Sequence, residues 1–353
     1  MPLTVLSVSY PLARVSSNTA GGAEQVLAML DAALVRAGHR SLVLAPTGSK
    51  CHGLLIPARV PSGVLDDSAK REACQEFRKL IDSALDRYPV DLIHMHGVDF
   101  SEYLPWTEIP VVVTLHLPLS WYAPHALRFV RPNLALVCVS KSQAQTASIG
   151  VPISDVIQNG VELQRFRSKK KHGRYAVVMT RICPEKGIHL AIEAAERAGI
   201  DLMIAGAVYE YPEHREYFES VIRPNLNSRV RFLGAVGGAR KAELLSGACC
   251  LLVPSVAPET SCLVAMEAMA SGTPVIAFPV GAVPEIVTHA RTGFLVENAG
   301  EMAGAIAAVN SISAAECRRE AEQRFSASRV FAQYLELYRS ILKRQPVREL
   351  QAA

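Results

Sequence analysis

Two glutamates draw attention by where they fall. Glu259 and Glu267 lie in the run Pro254-Ser255-Val256-Ala257-Pro258-Glu259-Thr260-Ser261-Cys262-Leu263-Val264-Ala265-Met266-Glu267-Ala268-Met269-Ala270, directly after a short apolar segment, Cys250 to Val253, that reads as a strand. Glu267 is surrounded by Leu263, Val264, Ala265, Met266, Ala268 and Met269, which places its carboxylate in a helix apolar on most sides. Burying a carboxylate without partners is costly, so a donor group is expected beside it. Thr260 or Ser261 has the side chain to cap the start of that helix. If the segment is helical throughout, the two carboxylates stand roughly 12 Å apart along the axis. Carboxylates at such a spacing suit neutral, hydroxyl-rich groups, because each oxygen accepts hydrogen bonds. A loop carboxylate that caps the helix, with Glu267 paired internally, accounts for the same residues.

A second group follows the strand Tyr175 to Thr180: Arg181-Ile182-Cys183-Pro184-Glu185-Lys186-Gly187. A planar guanidinium and a point-charge ammonium at a strand's carboxyl end, beside a helix start, form a diphosphate clamp in outline. Two surface cations in an exposed turn are the plain alternative. Gly21 and Gly22 open the first helix ahead of Glu24 and let backbone approach an anion, or simply let the chain turn into the helix. His116 ends the strand Val111 to Leu115, while His94 and His96 flank Met95 at the end of another. Each is read first as a hydrogen-bonded structural histidine. No carboxylate or cysteine stands at ligand spacing with them, so no metal is expected there. Trp121, Tyr122 and His125 follow in the loop after His116, where aromatic faces either stack on a sugar or anchor the loop.

Elements able to position these groups alternate along the chain. Strand-like runs at Leu3 to Ser9, Ser41 to Ala45, Leu92 to Met95, Val111 to Leu115 and Leu134 to Val139 are separated by helical patterns at Gly22 to Ala37 and within Asp67 to Tyr88. The alternation restarts with strands at Tyr175 to Thr180, Asp201 to Ala205, Val230 to Leu233, Cys250 to Val253 and Val275 to Phe278. Helices are expected between them at Ile188 to Ala198, Glu213 to Arg223, Arg240 to Leu245 and Leu263 to Ala270. A last helical pattern runs from about Ala327 to Leu342. The fold class is therefore α/β, with two Rossmann-like, doubly wound domains: 1–162, 163–325, and a carboxy-terminal helix in 326–353. The boundary falls near Val161 to Arg174, where apolar periodicity lapses. Ligands of such sheets bind outside the carboxyl ends of the strands, so the site should draw on a cleft between the halves.

Bulk properties agree with that organisation. With 353 residues the chain exceeds the roughly 250 to 300 over which one core keeps growing, so two domains are the natural expectation. Half the residues are hydrophobic, yet no unbroken apolar run reaches the roughly 20 of a membrane helix. The amino terminus reads as a strand with no basic leader, from which a cytoplasmic protein is inferred. Eight scattered cysteines without a C-x-x-C pair suggest neither a zinc site nor a disulfide framework. The net charge of +4 leaves no basic face for nucleic acid. Its main cluster, Arg165, Arg167, Lys169, Lys170, Lys171 and Arg174, reads as a solvated linker, with weak peripheral membrane contact the alternative. No two glycines stand two apart, which removes the dinucleotide fingerprint, and no two aspartates do, which removes the Asp-x-Asp element of metal-dependent sugar transferases.

Taken together the residues resemble retaining glycosyltransferase family 4, of the two-domain GT-B architecture, over nearly the whole chain. The likeness is carried by Gly21-Gly22 with Glu24, Thr114-Leu115-His116, Val139-Ser140, Asn159-Gly160-Val161-Glu162, and Arg181 with Glu185-Lys186-Gly187. Glu259 with Glu267, Ala268 through Val275, and Gly281 through Pro284-Glu285 complete it. The resemblance implies that Arg181 and Lys186 hold the diphosphate of a UDP- or GDP-sugar and Glu267 the ribose. Glu259 and the amides of Ser261, Cys262 and Leu263 would hold the transferred sugar. Gly22 would approach the phosphate from the first domain, His116 would touch the sugar near its reacting carbon, and the last helix would pack back on the first domain. Transfer with retention to a glycan, small-molecule or lipid-linked acceptor would follow domain closure, with no cofactor and no metal. Trp121, Tyr122 and His125 are the candidate acceptor contacts. A nucleotide-sugar epimerase or hydrolase, or a homologue that binds without turnover, are the other readings. Thr260-Ser261-Cys262 departs from the Gly-Phe-Gly common in relatives, Glu162 replaces an Asp, and Ala282 stands where a second Gly is frequent, so sugar identity is the open feature.

Overall fold

A computed structural model describes residues 2–19, 21–59, 66–128, 131–166 and 173–344. Arg167, Lys169, Lys170 and Lys171 of the basic cluster lie outside them. The chain divides into two compact units, Met1–Val139 with Thr146–Ile157 and Ser328–Ala353, and Ser140–Gln145 with Gln158–Ala327. The change of unit thus falls at several points near residues 140–158 and at 327–328, rather than once in the basic stretch.

The first unit is built on a seven-stranded sheet, every pairing parallel, in the order β3-β2-β1-β4-β5-β6-β7. Its strands are β1 Thr4–Val8, β2 Arg40–Pro46, β3 Leu54–Ala58, β4 Leu92–Met95, β5 Val111–Leu115, β6 Leu134–Cys138 and β7 Ile153–Val156. Strands β1, β4 and β5 are buried along their whole length, as a parallel sheet covered on both faces requires. Helix Gly22–Arg36 covers one stretch of it, and helix Asp67–Arg87 starts where the Asp66 carboxylate accepts from the Ala69 amide at 2.8 Å. The last helix, Ala327–Arg344, turns Val330, Tyr334, Tyr338 and Ile341 inward at helical spacing. Its tyrosine hydroxyls meet the sheet: Tyr338 is 2.6 Å from His94 Nδ1, and Tyr334 is 2.9 Å from Thr114 Oγ1.

The second unit carries a six-stranded sheet, also parallel, in the order β10-β9-β8-β11-β12-β13. These strands are β8 Tyr175–Met179, β9 Asp201–Ala205, β10 Val230–Phe232, β11 Cys250–Val253, β12 Val275–Ala277 and β13 Gly293–Leu295. The two-residue period sorts the core into layers. Val177, Met179, Met203, Leu251, Val253, Val275 and Ala277 face helix Leu263–Ser271, whereas Ala176, Val178, Leu202, Ile204, Cys250, Leu252 and Ile276 face helices Ile188–Ala198 and Ala299–Ala308.

Three strands escaped the sequence pattern. The edge strands β3 and β7 are exposed or half-buried apart from Ala58 and contain Pro57 and Asp155, so neither shows an apolar run, and β13 is three residues long. The helix expected at Glu213 to Arg223 is helical only over Pro212–Tyr217, then widens into one π turn, Phe218–Ile222, and tightens at Arg223–Asn225, where Pro224 withholds an N–H. No helix among the described residues is long and apolar enough to cross a membrane.

Candidate active site

In the second unit the loops after β8 and β11 are drawn together at the carboxyl ends of neighbouring strands. After β8 the chain passes Arg181, which is exposed, buries Ile182 and Cys183, and makes one tight turn, Pro184–Lys186. Gly187 ends that turn at φ 59°, and a Cβ on it would run into the Pro254 carbonyl. Only glycine allows this approach without strain. The contact is tied by the Val256 amide, which donates to the Glu185 carbonyl at 2.9 Å. Lys186 then reaches Glu259, with Nζ 2.6 Å from Oε1, and the Ser255 hydroxyl donates to the same oxygen at 2.5 Å. The Lys186 and Glu259 side chains are only 17% and 13% exposed. Glu259 is held in turn by Gly281, which pairs with it as an isolated bridge, and by the Ala282 amide, which donates to its carbonyl at 2.7 Å.

Glu267 takes a different partner. Helix Leu263–Ser271 begins at the residue expected, but Cys262 occupies the cap position, with no side-chain cap bond, in place of Thr260 or Ser261. The Cys262 carbonyl accepts from Ala265 and Met266, and the loop stays non-helical up to that point, so the roughly 12 Å separation derived for a continuous helix does not apply. Glu267 is 3% exposed and ion-paired through Oε1 with Lys241 of helix Gly238–Gly247. Burial pushes its carboxyl above the usual range, against the pull of Lys241 and the more distant Arg165. Two buried polar atoms of this loop and helix, Glu267 Oε2 and Ser261 Oγ, have no hydrogen-bond partner among the described residues. Such atoms are rare in native proteins and call for an explanation.

Of the residues singled out from sequence, the fold therefore joins Lys186 to Glu259 and seats Ser261, Cys262 and Leu263 at the entry to the helix of Glu267. Lys241 and Ser255 had not been singled out. Lys241 had no signal beyond a cation early in a helix, whereas Ser255 lies in the motif itself, four residues before Glu259.

In the first unit, Gly21 precedes helix Gly22–Arg36, and a Cβ on it would overlap the Glu24 carboxylate, which burial pushes above its usual range. His116 follows β5 and its Nε2 is 2.9 Å from His96 Nδ1; the rings are stacked with centroids 5.2 Å apart. His94, in contact with His96, is bonded at both nitrogens, to Tyr338 and Thr114. Burial holds His94 and His116 down at about 3, so both are neutral at physiological pH. In the loop beyond, Tyr122 is buried and its hydroxyl accepts from the Leu117 amide at 3.3 Å, the geometry of a loop anchor, while Trp121 and His125 are exposed.

Comparison with known proteins assigns both halves. Residues 161–328 match the family model "Glycosyl transferases group 1", and residues 20–165 match "Glycosyltransferase Family 4". The chain belongs to glycosyltransferase family 4. A phosphatidyl-myo-inositol mannosyltransferase from Mycolicibacterium smegmatis is 25% identical over 92% of each chain. Other curated relatives are matched over less, the chain spanning 14% to 60% of their length. Among solved structures, a glycosyltransferase involved in avilamycin A biosynthesis superposes with a TM-score of 0.75 at 25% identity, covering 98% of this chain and 99% of that one. An Anabaena protein crystallised with UDP-glucose has a TM-score of 0.71 at 21% identity, covering 96% and 100%. The architecture of this family 4 chain is accordingly GT-B: two α/β units, each on a parallel sheet.

Proposed function

We propose that the second unit binds a nucleotide diphosphate sugar, UDP- or GDP-linked, and that the protein transfers the sugar to an acceptor hydroxyl with retention and without a metal on the diphosphate. The observation that carries this reading is the pair of buried, unpartnered atoms, Glu267 Oε2 and Ser261 Oγ, on the loop and helix that also carry Glu259. A carboxylate oxygen accepts and a hydroxyl does both, which is what a ribose diol and a hexose present. The Anabaena relative held UDP-glucose, and the mycobacterial one is a mannosyltransferase, in line with a nucleotide-sugar donor.

In this reading Lys186 leaves Glu259 for the donor diphosphate, joined there by Arg181, and the two cations take up the charge that develops as the anomeric bond breaks. Glu259, freed from the lysine and still held by Ser255 and by the Gly281 and Ala282 backbone, accepts from sugar hydroxyls. Glu267 anchors the ribose through Oε2. The leaving oxygen takes the acceptor's proton on the face from which it departs, so the configuration is kept and no protein nucleophile takes part. Glycan, small-molecule and lipid-linked hydroxyls are the acceptor classes.

The test is a screen of nucleoside diphosphate sugars by thermal shift, then transfer to candidate acceptors in chelator, with anomeric configuration read by NMR. Retained transfer without divalent metal is expected, reduced about 100-fold or more by Arg181→Ala or Lys186→Ala. Undiminished transfer in both variants, an inverted product, or release of sugar without an acceptor as the only reaction would overturn it.

A further inference from the structure

The turn that carries Lys186 also assembles a group of side chains that sugar transfer does not use. Cys183 opens the turn, Glu185 lies within it, and His214 comes from helix Pro212–Tyr217, which follows β9. One ligand atom from each, the Cys183 sulfur, a Glu185 carboxylate oxygen and a His214 ring nitrogen, lies within 4.8 Å of the other two. The imidazole supplies the independent observation: His214 is 8% exposed, and its Nδ1 has no hydrogen-bond partner among the described residues. The Tyr211 and Tyr209 rings form T-shaped pairs with the imidazole at centroid distances of 5.1 and 6.3 Å. The Cys183 sulfur is buried; its thiol hydrogen-bonds to the Glu185 carboxylate and also stands 3.9 Å from the Arg181 carbonyl, so two of the three side chains already meet, and an ion would take the place of the thiol proton between them.

We propose that Cys183, Glu185 and His214 form a binding site for a thiophilic divalent cation of the zinc class, which clips the Lys186 turn to helix Pro212–Tyr217. A thiolate, an imidazole and a carboxylate are the three ligand types that zinc accepts together, and a water completes the tetrahedron. Magnesium and calcium are disfavoured, since their sites are built from oxygen alone. The thiolate and carboxylate balance the two charges of the ion, and the charges of Arg181 and Lys186 nearby argue against a more highly charged one. The cysteine spacing did not reveal the site because its imidazole arrives from beyond β9, brought to the turn by the parallel crossover and not by a local motif. The ion would be no reactant: none of its three ligands is assigned to the donor, and the proposal does not depend on the donor reading.

The full-length protein, stripped with chelator, would be titrated with Zn2+ against a chromophoric competitor, and separately with Co2+ followed by absorption. One equivalent of tight binding is expected, weakened by about tenfold or more in Cys183→Ser and in His214→Gln, and unchanged in Cys249→Ser. Co2+ should give a thiolate charge-transfer band that Cys183→Ser abolishes, and Zn2+ should raise the melting temperature of the parent more than that of Cys183→Ser. Absence of the thiolate band in the unmodified protein would overturn the proposal without recourse to any variant. Equal zinc affinity in the parent and in well-folded Cys183→Ser and His214→Gln would do so as well.

Discussion

Lys186 Nζ and Glu259 Oε1 lie 2.6 Å apart, and the Ser255 hydroxyl donates to the same oxygen. Cation and carboxylate thus neutralise each other at the carboxyl ends of β8 and β11, and under the proposed function a bound donor separates them. Because the pair is mostly shielded from water, a coupling energy of about 1 kcal/mol or more is expected between Lys186→Met and Glu259→Gln in a double-mutant cycle of ligand-free stability. The same cycle read in kcat/KM should give a different coupling, because bound donor replaces the contact. Equal couplings in the two measurements would mean that the ion pair persists through turnover.

The second prediction concerns the support of Glu259. Gly281 has φ 58°, and a Cβ there would overlap the Glu259 backbone, so Gly281→Ala combines left-handed strain with a collision. Gly199 has φ 64° with nothing near its missing Cβ, and Gly199→Ala therefore reports the strain alone. That strain is of order 1 kcal/mol. Denaturant midpoints should show Gly281→Ala costing about 1 to 3 kcal/mol more than Gly199→Ala, with a raised KM for the donor only in the former. Equal costs would show that the loop gives way freely.

The pairing of Glu267 with Lys241 makes a prediction in pH. The Glu267 carboxyl is raised above its usual 4.5 in the fold, so from 4.5 upward the native state keeps a proton that the unfolded chain has released. Stability contributed by Glu267 is therefore full below 4.5 and is lost as pH rises through the folded value. Glu267→Gln should remove this falling slope from the pH dependence of ligand-free stability. Lys241→Met leaves the carboxylate unpaired and should cost about 3 kcal/mol or more at neutral pH, with the slope extended to higher pH. A parent and Glu267→Gln with parallel pH profiles would contradict the raised carboxyl.

Much of this was legible before the structure because sheet strands and the helices beside them carry their period in local sequence. Val177, Leu251 and Val275 against Ala176, Cys250 and Ile276 already divide two faces. The apolar setting of Glu267 called for a partner, but not for Lys241, whose contact depends on how two helices pack and leaves no spacing to read. The cap of that helix was not legible because Thr260 and Ser261 have capping side chains, whereas the Cys262 carbonyl begins the turn. Ser261 is left with a buried hydroxyl and no cap to make, a clue available only once burial is known.

The histidines of the first unit give the opposite pH dependence to Glu267. His94 is held down at about 3 from a usual 6.5, so between those values the unfolded chain takes up a proton that the fold refuses. Its contribution is present above 6.5 and is lost as pH falls, with a slope of up to about 1.4 kcal/mol per pH unit. His94→Gln should flatten the acid limb of a stability profile by up to that much, while lowering neutral stability through lost bonds to Tyr338 and Thr114. An unchanged acid limb would show that His94 titrates normally.

Ser261 separates a ligand-binding role from a structural one. Its hydroxyl is buried without a partner, so in the ligand-free protein it costs desolvation and returns no hydrogen bond. Ser261→Ala should leave the melting temperature unchanged or raise it, by an amount equivalent to about 1 kcal/mol at most. If the hydroxyl meets the transferred sugar, the same variant should lose about tenfold in kcat/KM, the equivalent of one hydrogen bond of about 1.4 kcal/mol. The loss should also differ among donors that differ at a single hydroxyl, because a donor lacking the partner hydroxyl has nothing to lose. A variant that is destabilised, or that loses activity equally with every donor, would assign Ser261 to the packing of the loop instead.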